Sequence, residues 1–377
     1  MNIRFTQPAL TGNEMEYIRQ AMNRGRLMGN GEFTQRCQQW LEQTLGCRKA
    51  LLTHSCTAAL EMGAILSNAG PGDEVIMPSF TFVSTANAFV LRGATPVFVD
   101  VDPVNLNLDT KLVAMAVTQR TKAIVPVHYA GVPCRMDEIV KIARDCGAVV
   151  VEDAAQSLLS IYKGRHAGTF GQLAAISFHE TKNVVSGEGG ALIINDESLL
   201  ERAEIIWEKG TNRSKFFRGE VDKYTWVDVG SSFLPSELVA AFLLAQLDSA
   251  RDITRRRLLL WNQYADRLKP LFDDGILRGP RIPAGVKHNA HIFFVITRTA
   301  DEARRLLVKM KEQDINAVHH YVPLHSSPAG RRYGRVHGSL INTEELSDRL
   351  IRLPLWSDMT PRMIDHVVAL IFQLFRI

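Results

Sequence analysis

The sequence predicts an α/β protein, with a large domain built around a mostly parallel, seven-stranded sheet and a smaller C-terminal α+β domain. Short apolar runs alternate with longer helical patterns from about residue 48 onward, which is typical of a parallel sheet covered on both faces. This alternation stops after residue 197, where the character of the chain changes. In addition, 377 residues are too many for one ordinary domain and suit two.

Seven runs are predicted to form the strands of the large domain, because they are apolar or β-branched and mostly end in polar, Pro or Gly residues. They are residues 49–53, 74–77, 96–99, 123–127, 149–152, 174–178 and 191–194. Helical patterns lie between the first five, at residues 57–67, 85–91 and 137–146. In such sheets the ligand lies beyond the carboxyl ends of the strands. We therefore expect the functional site at residues 53–57, 152–156 and 177–182.

The rest of the chain predicts fewer strands and more helix. A helix at residues 199–207 and a polar loop at 209–230 come first. Residues 235 to about 268 predict one long helix, with Pro235 in its first turn and Ser236 near its cap. After a break at 280–285, we expect a strand at 290–297, a helix at 300–313 and a final amphipathic helix at 360–375. The predicted domains are residues 1–250 and 251–377.

Composition favours a globular enzyme from a reducing compartment. Hydrophobic residues make up 46% of the chain and charged residues 22%, and the net charge of +4 is spread without blocks, so nucleic-acid binding is not expected. The odd number of cysteines, without a C-x-x-C pair, predicts neither a disulfide framework nor a zinc site. They are Cys37, Cys47, Cys56, Cys134 and Cys146. Without an apolar leader or a membrane-spanning run, we expect a cytoplasmic protein with no membrane partner.

Lys182 and Asp153 are the most informative residues of the chain. Lys182 follows an apolar strand and precedes a Gly-rich run at 187–190, and Asp153 ends another apolar strand. An amine that can form a Schiff base and a carboxylate that can keep a ring nitrogen protonated are the two groups that pyridoxal phosphate chemistry requires. Gln156 could then donate to a ring oxygen. Each residue alone has an ordinary explanation, because surface lysines and strand-end carboxylates are common.

Other side chains near the same strand ends suit such a cofactor. Ser55 and Thr57 begin an Ala-rich helix, where a helix N-terminus with hydroxyls can bind phosphate, although plain helix capping explains them too. Ser177 could supply another hydroxyl. Phe82 could stack on the cofactor ring, with Phe80 as the competing candidate and core packing as the ordinary explanation of both.

Two polar runs are candidates for substrate contacts. His319, His320 and His325 could bind zinc, but no acidic or Cys partner lies nearby in sequence, so a substrate-facing loop is favoured. The run at 213–218 mixes cations with aromatics and is either a solvated loop or a site for a nucleotide diphosphate. A nicotinamide-dependent enzyme is disfavoured, because no G-x-G-x-x-G follows the first strand.

These motifs together resemble those of the DegT/DnrJ/EryC1/StrS sugar aminotransferases, and the resemblance covers essentially the whole chain. The shared segments are residues 55–60, 72–76, 152–156, 177–179, 182–183, 187–190 and 323–325. The resemblance implies the aspartate-aminotransferase-like fold of PLP-dependent transferases, with pyridoxal 5'-phosphate as the cofactor. Some relatives have His in place of the lysine and perform dehydration, so Lys182 favours transamination.

Carried over position by position, the resemblance makes Lys182 the catalytic Schiff-base lysine. The expected cofactor contacts are Ser55, Cys56, Thr57, Phe82, Asp153, Gln156 and Ser177. The expected substrate contacts are His179, Arg213, Arg218, Tyr321 and His325. Ser232 stands where relatives have an Asn that reaches the phosphate of a neighbouring subunit. Because Ser can also donate a hydrogen bond, we expect Ser232 to contact the cofactor in a homodimer with shared active sites. No metal is expected.

The resemblance also implies a reaction. Residues 127–132, 209–214 and 221–226 resemble those of members that form dTDP-4-amino-4,6-dideoxygalactose for enterobacterial common antigen. L-glutamate would be the amino donor and dTDP-4-keto-6-deoxyglucose the acceptor. A gluco product, transfer at C3 and another nucleotide stay open, because one sequence does not fix the pose of the sugar. A non-catalytic regulatory protein of the same fold is the alternative from a different class.

Overall fold

The computed structural model describes residues 2–375; Met1, Arg376 and Ile377, which the predicted domains include, lie outside the described residues. The strands are β1 (Lys49–Thr53), β2 (Glu74–Pro78), β3 (Thr95–Val99), β4 (Thr121–Ile124), β5 (Val149–Asp153), β6 (Ile161–Tyr162), β7 (Arg165–His166), β8 (Leu173–Ser177), β9 (Gly190–Ile194), β10 (Val286–Lys287), β11 (Phe293–Ile296), β12 (Val318–His319), β13 (Arg335–Val336) and β14 (Leu350–Leu353). The α-helices are α1 (Glu14–Asn23), α2 (Glu32–Leu45), α3 (Cys56–Leu66), α4 (Val83–Val90), α5 (Thr110–Ala116), α6 (Met136–Cys146), α7 (Leu200–Trp207), α8 (Arg213–Phe217), α9 (Glu237–Asp248), α10 (Ala250–Asp273), α11 (Ala300–Glu312), α12 (Pro328–Tyr333), α13 (Ile341–Arg349) and α14 (Pro361–Phe375).

The central sheet is mostly parallel and has eight strands in the order β1-β9-β8-β5-β4-β2-β3-β13. Strand β9 runs antiparallel to both of its neighbours, and the other pairs are parallel. The seven predicted strands and the α/β class are confirmed. The predicted strand number is too small by one, because the two-residue β13 joins the edge at β3 from the C-terminal part of the chain. Two residues are too short a pattern to predict.

Helices cover both faces of this sheet, as the continuous apolar runs predict. In β1, Leu51 packs into the core shared with α3 and α4, whereas Ala50 and Leu52 pack into the core shared with α2 and α9. Successive side chains of a strand point to opposite faces, so a strand that is covered on both sides must be apolar throughout. Polar side chains therefore collect at the strand ends, and α3 begins just beyond the carboxyl end of β1.

The C-terminal part forms a second, antiparallel sheet in the order β11-β14-β12. Helices α10, α11 and α14 enclose a separate apolar core with it, and Ile3 from the N-terminal segment joins this core. The predicted strand at 290–297 and the helices at 300–313 and 360–375 are confirmed with slightly shifted ends. We retain the domain division at residue 250 as a proposal.

Three predictions for the middle of the chain are wrong. The single long helix is two helices, because Ser249 leaves helical geometry between α9 and α10 with φ −102° and ψ 2°. Pro235 precedes the N-cap Ser236 and so lies outside the first turn of α9. The polar loop contains the short helix α8, whose Phe216 ring packs edge-on against Tyr224, a tertiary contact that the local pattern does not show.

Neither a membrane-spanning helix nor a metal cluster is found in the part of the chain that the structure describes. None of the helices within residues 2–375 is long and apolar enough to cross a bilayer. No group of three or more His, Cys, Asp or Glu side chains in the same range could hold a metal ion. The five cysteines are free thiols.

Glu152 anchors the carboxyl end of β5. Its side chain is fully buried, and its two carboxylate oxygens accept hydrogen bonds from the backbone N–H groups of Gly168, Phe170 and Gly171 at 2.6–2.7 Å. His128 Nε2 donates to the same carboxylate at 2.8 Å, because its Nδ1 accepts the backbone N–H of Cys134. A carboxylate fits here because it only accepts hydrogen bonds, and all four of these neighbours are donors. These bonds thus fix the strand end immediately before Asp153.

Replacing this carboxylate by an amide should destabilise the fold. In Glu152→Gln, the amide NH₂ would face the N–H of Gly168 or the Nε2–H of His128, leaving buried donors without acceptors. We expect the free energy of unfolding to fall by about 2–4 kcal/mol. Urea unfolding would measure this, with Glu197→Gln on the exposed surface as the control. An unchanged midpoint for Glu152→Gln would contradict the assignment.

Candidate active site

A cavity of about 450 Å³ lies between the carboxyl ends of β1, β5 and β8 and the C-terminal sheet. Its volume is within the range of small-molecule sites. The structure brings ten of the predicted site residues to this one cavity. They are Ser55, Cys56, Thr57, Phe82, Asp153, Gln156, Ser177, His179, Lys182 and Tyr321.

Asp153 is a buried carboxylate held in one orientation at the end of β5. Thr85 Oγ1 donates to its Oδ2 at 2.7 Å, and the backbone N–H of Ala155 donates to its Oδ1 at 3.2 Å. Thr85 is itself hydrogen-bonded to Thr81 at 2.9 Å, which fixes its hydroxyl. Carboxylate oxygens have two lone pairs each, so Asp153 can still accept a bond from a cation in the cavity.

Lys182 lies in the connection between β8 and β9 and extends into the same cavity. A tight turn, in which the Lys182 backbone N–H donates to the His179 carbonyl at 2.9 Å, sets its direction. Surrounding protein lowers the pKa of the Lys182 amine below its ordinary value, and the positive charge of Arg352 acts in the same direction, while Asp153 opposes both. A larger share of the amine is therefore neutral, which is the nucleophilic form.

The part of the cavity at the N-terminus of α3 suits an anion. The first N–H groups of a helix lack intrahelical partners, and those of α3 open toward the cavity beside its hydroxyl side chains. Ser55 Oγ caps α3 by accepting the Ala58 N–H at 3.1 Å, and Thr57 Oγ1 bonds Ser84 Oγ at 2.7 Å. Gly190 begins β9 beside this turn, where a Cβ atom would lie 2.5 Å from the Cys56 backbone nitrogen. Only glycine permits this approach.

The two phenylalanines lie in different surroundings, and both ends of the Gln156 amide are hydrogen-bonded. Phe80 is buried against Tyr129 and Tyr321, which is core packing, whereas the Phe82 side chain is 56% exposed and faces the cavity. Gln156 accepts a backbone N–H through Oε1 at 2.8 Å and donates through Nε2 to the Tyr321 hydroxyl at 2.9 Å. A ring oxygen would have to share or replace Tyr321 as the partner of this amide.

Three further C-terminal residues line the cavity. The sequence did not assign His291 or Arg352 to the site, whereas His320 belongs to the run that was predicted to face the substrate. Burial holds the pKa of both imidazoles well below the ordinary value, so they are neutral. His320 Nδ1 bonds the Tyr129 hydroxyl at 2.5 Å, and His291 Nδ1 bonds Asn183 Oδ1 at 3.1 Å. Arg352 interrupts the otherwise apolar strand β14, and this was the one local signal that could have identified it.

Four predicted residues lie outside the cavity of this chain. Arg213 and Ser232 line a separate surface pocket of about 280 Å³. Arg218 pairs with Glu204 at 2.8 Å and with Glu220 at 2.6 Å. His325 bonds Ser79 Oγ at 2.7 Å and approaches Glu344 Oε1 at 3.2 Å. Their functional roles stay predictions.

Comparison with known proteins gives one consistent family. The profile of the DegT/DnrJ/EryC1/StrS aminotransferase family matches residues 8–372. The spore coat polysaccharide biosynthesis protein SpsC of Bacillus subtilis is 32% identical over 374 residues, covering 97% of this chain and 95% of SpsC. The aminotransferase TlmJ from Streptoalloteichus hindustanus superposes with a TM-score of 0.90 at 30% identity, covering 99% of this chain and 98% of TlmJ. Spr1654 from Streptococcus pneumoniae, solved in a PLP form, shares the fold with a TM-score of 0.89 at 24% identity, covering 99% of this chain and 98% of Spr1654.

The lowered pKa of Lys182 predicts selective labelling of the cofactor-free protein. With trace acetic anhydride, the labelling rate of Lys182, relative to its own maximum, should rise at lower pH than that of the exposed Lys111, because more of the Lys182 amine is neutral there. Peptide mass spectrometry as a function of pH would give both rates. Equal pH profiles for the two lysines, after correction for access with fully unfolded protein, would contradict the assignment.

Proposed function

Because the chain belongs to the DegT/DnrJ/EryC1/StrS aminotransferase family, we propose that it moves an amino group from L-glutamate to C4 of dTDP-4-keto-6-deoxyglucose. The products are dTDP-4-amino-4,6-dideoxygalactose and 2-oxoglutarate. The family match makes the chain a PLP-dependent sugar aminotransferase. The choice of donor, nucleotide, carbon atom and stereochemistry is the proposal, and it rests on the three sequence segments that resemble galactose-forming members.

Pyridoxal 5'-phosphate is the cofactor, and the residues of the cavity fit it. Asp153 would hold the pyridine nitrogen in its protonated form, since its oriented carboxylate is buried. The α3 N-terminus with Thr57, and Ser177 beside it, would hold the phosphate. When bound, the cofactor supplies an electron sink that stabilises negative charge on the carbon from which a proton is removed. The exposed ring of Phe82 would cover one face of it.

Lys182 has two roles in this proposal. Its amine would attach the cofactor and, once displaced by the amino donor, would remove the proton from the donor α-carbon and return it to the cofactor. Its lowered pKa serves both roles, because the neutral amine is the nucleophile and the base. The acceptor half of the reaction uses the same groups in reverse. The observation that carries the proposal is that Lys182 and Asp153 line one cavity together with the N-terminus of α3, which suits a phosphate.

The acceptor sugar and its nucleotide are proposed to bind at the outer side of the site. His179 and Tyr321 line the cavity and could contact the sugar. Arg213 has a buried Nε without a partner among the described residues and lines the pocket of Ser232. Such a guanidinium is suited to a diphosphate. Arg218 and His325 stay candidates for the same ligand, although each now has an acidic neighbour.

A homodimer with shared active sites is part of this proposal, as is a cytoplasmic location. The segment before Ser232 carries exposed aromatic residues: Phe217 is 62% exposed, Tyr224 53% and Trp226 80%. An apolar surface of this kind marks contact sites, and a partner subunit would complete the phosphate end that Ser232 cannot reach within one chain. Light scattering of the PLP-loaded protein should give twice the mass of one chain; the mass of one chain would refute the shared site.

Product analysis tests the reaction directly. The protein, PLP, L-glutamate and dTDP-4-keto-6-deoxyglucose should yield dTDP-4-amino-4,6-dideoxygalactose. The coupling constants in its NMR spectrum identify the axial amine at C4. Lys182→Ala should lose at least about a thousandfold in rate, because nucleophile and base are removed together. Lys111→Ala removes an exposed lysine away from the cavity and should retain full activity.

Two outcomes would contradict this function. A gluco configuration or an amine at C3 would overturn the proposed product while leaving the aminotransferase assignment in place. Undiminished transfer by Lys182→Ala, in buffer free of small amines that could replace the side chain, would remove the proposed role of Lys182.

A further inference from the structure

Thr85 is a buried residue whose hydroxyl group holds the Asp153 carboxylate. Its Oγ1 donates to Asp153 Oδ2 at 2.7 Å, and no other side chain among residues 2–375 donates to this carboxylate. The remaining bond comes from the backbone N–H of Ala155 and is longer, at 3.2 Å. Thr85 is fully buried and does not line the cavity, whereas Asp153 does. Any effect of the Thr85 hydroxyl on a ligand must therefore pass through Asp153.

The hydrogen bonds of this region run in one direction, toward Asp153. The Thr85 hydroxyl has a single hydrogen, and it gives this hydrogen to the carboxylate, which has none to give in return. Thr81 Oγ1 lies 2.9 Å from Thr85 Oγ1, so Thr81 is the donor in that pair. Both threonines are at most 1% exposed, and buried hydrogen bonds in such a chain strengthen one another. Two hydroxyl groups thus direct their hydrogens toward one carboxylate.

A single turn at the start of α4 carries this chain and also reaches other parts of the cavity. Phe82 is the N-cap of α4, and the Thr85 backbone N–H donates to the Phe82 carbonyl at 3.2 Å, which closes the turn. Phe82 and Ser84 line the cavity, and Ser84 Oγ bonds Thr57 Oγ1 at 2.7 Å. Further along α4, Phe89 is fully buried in the core shared with α3. The turn is therefore anchored to the core of the large domain.

A second buried Thr–Asp pair, Thr343 with Asp100, shows what a structural contact of this kind looks like. Thr343 Oγ1 donates to Asp100 Oδ1 at 2.7 Å, the same distance as in the Thr85 pair. The Asp100 carboxylate also accepts two backbone N–H groups from the first turn of α13 and so fixes the start of that helix. Asp153 fixes no helix end and lines the cavity instead. Holding the fold therefore does not account for Thr85 as it does for Thr343.

We propose that Thr85 is a positioning residue for the cofactor, an inference that rests on the proposed function. Its bond to Oδ2 would hold the Asp153 carboxylate in the orientation in which a remaining lone pair meets the ring nitrogen. Thr81 would support this bond from the other end of the chain. Phe82 belongs to the same turn and would cover the ring whose nitrogen Asp153 binds. One turn of α4 would thus align two of the groups that hold the cofactor.

The Thr85 hydroxyl would also affect where a proton lies. A hydrogen bond donated to a carboxylate favours its charged form. Without this donor, Asp153 would compete more strongly for the proton that the ring nitrogen has to keep. A ring nitrogen without its proton is a weaker electron sink, so the removal of a proton from the amino donor by Lys182 should slow.

Solid-state NMR measures this effect without any substrate, on protein loaded with PLP that carries an NMR-active nitrogen isotope in its ring. We expect the ring nitrogen of the wild type to resonate where a protonated pyridine does. In Thr85→Val the resonance should shift toward the unprotonated position, because valine has nearly the same shape but no donor. Thr85→Ser keeps the hydroxyl and should restore the wild-type resonance. Thr343→Val, which breaks the matching bond to Asp100, should leave the resonance unchanged.

Urea unfolding of the cofactor-free protein separates this role from a structural one. Thr85→Val and Thr343→Val each remove a donor from a buried carboxylate, so both should lower the unfolding midpoint. Only Thr85→Val should also move the resonance. A lowered midpoint with an unchanged resonance in Thr85→Val would overturn the proposal. If that variant does not fold, Thr81→Val carries the test, with a smaller shift expected and no shift contradicting the proposal.

Single-turnover kinetics with L-glutamate test the consequence for the reaction. We expect Thr85→Val to slow amino transfer to the cofactor by about tenfold to a hundredfold, the usual worth of a hydrogen bond to a charged group. Thr85→Ser should stay near the wild-type rate. If the resonance shifts as expected but the wild type takes no amino group from glutamate, the donor assignment is wrong while the role of Thr85 stands. Normal transfer with equal rates and resonances in wild type and Thr85→Val would leave the proposed function and remove the role of Thr85.

Discussion

The site depends on the meeting of an amine and a carboxylate that the fold delivers from different strands to one cavity. Asp153 ends β5, and Lys182 follows β8, the strand directly beside it in the sheet. Parallel strands end at the same edge, so their polar termini converge there. Glu152, one residue before Asp153, holds three backbone N–H groups and thereby fixes this edge. The chemistry of the cavity therefore follows from the register of two neighbouring strands.

Burial sets the charge states within the cavity. It favours neutral forms, and the lowered pKa of Lys182 and the neutral His291 and His320 follow from it. Asp153 keeps its place through hydrogen bonds to its carboxylate. Arg352 is the exception, a buried cation without a partner in the described chain.

Most of the large domain and half of the site could be predicted from local sequence, and the reasons are physical. Apolar strands with polar ends reveal themselves by composition, so β5, β8 and Asp153 with Lys182 were found. The two-residue β13 depends on its pairing with β3, a tertiary contact that no short pattern records, and the backbone angles of Ser249 break a helical pattern that the side chains continue. Arg352 and His291 come from more than a hundred residues further along the chain than Lys182, and only folding places β14 and the segment before β11 against the cavity.

Reductive trapping tests the central claim most directly. The PLP-loaded protein would be treated with borohydride, which makes the bond between an amine and the cofactor permanent, and then digested and mapped by mass spectrometry. We expect one modified peptide, with the pyridoxyl group on Lys182, and no modification of that peptide in protein prepared without PLP. Attachment at another lysine, or no attachment after saturation with PLP, would contradict the account.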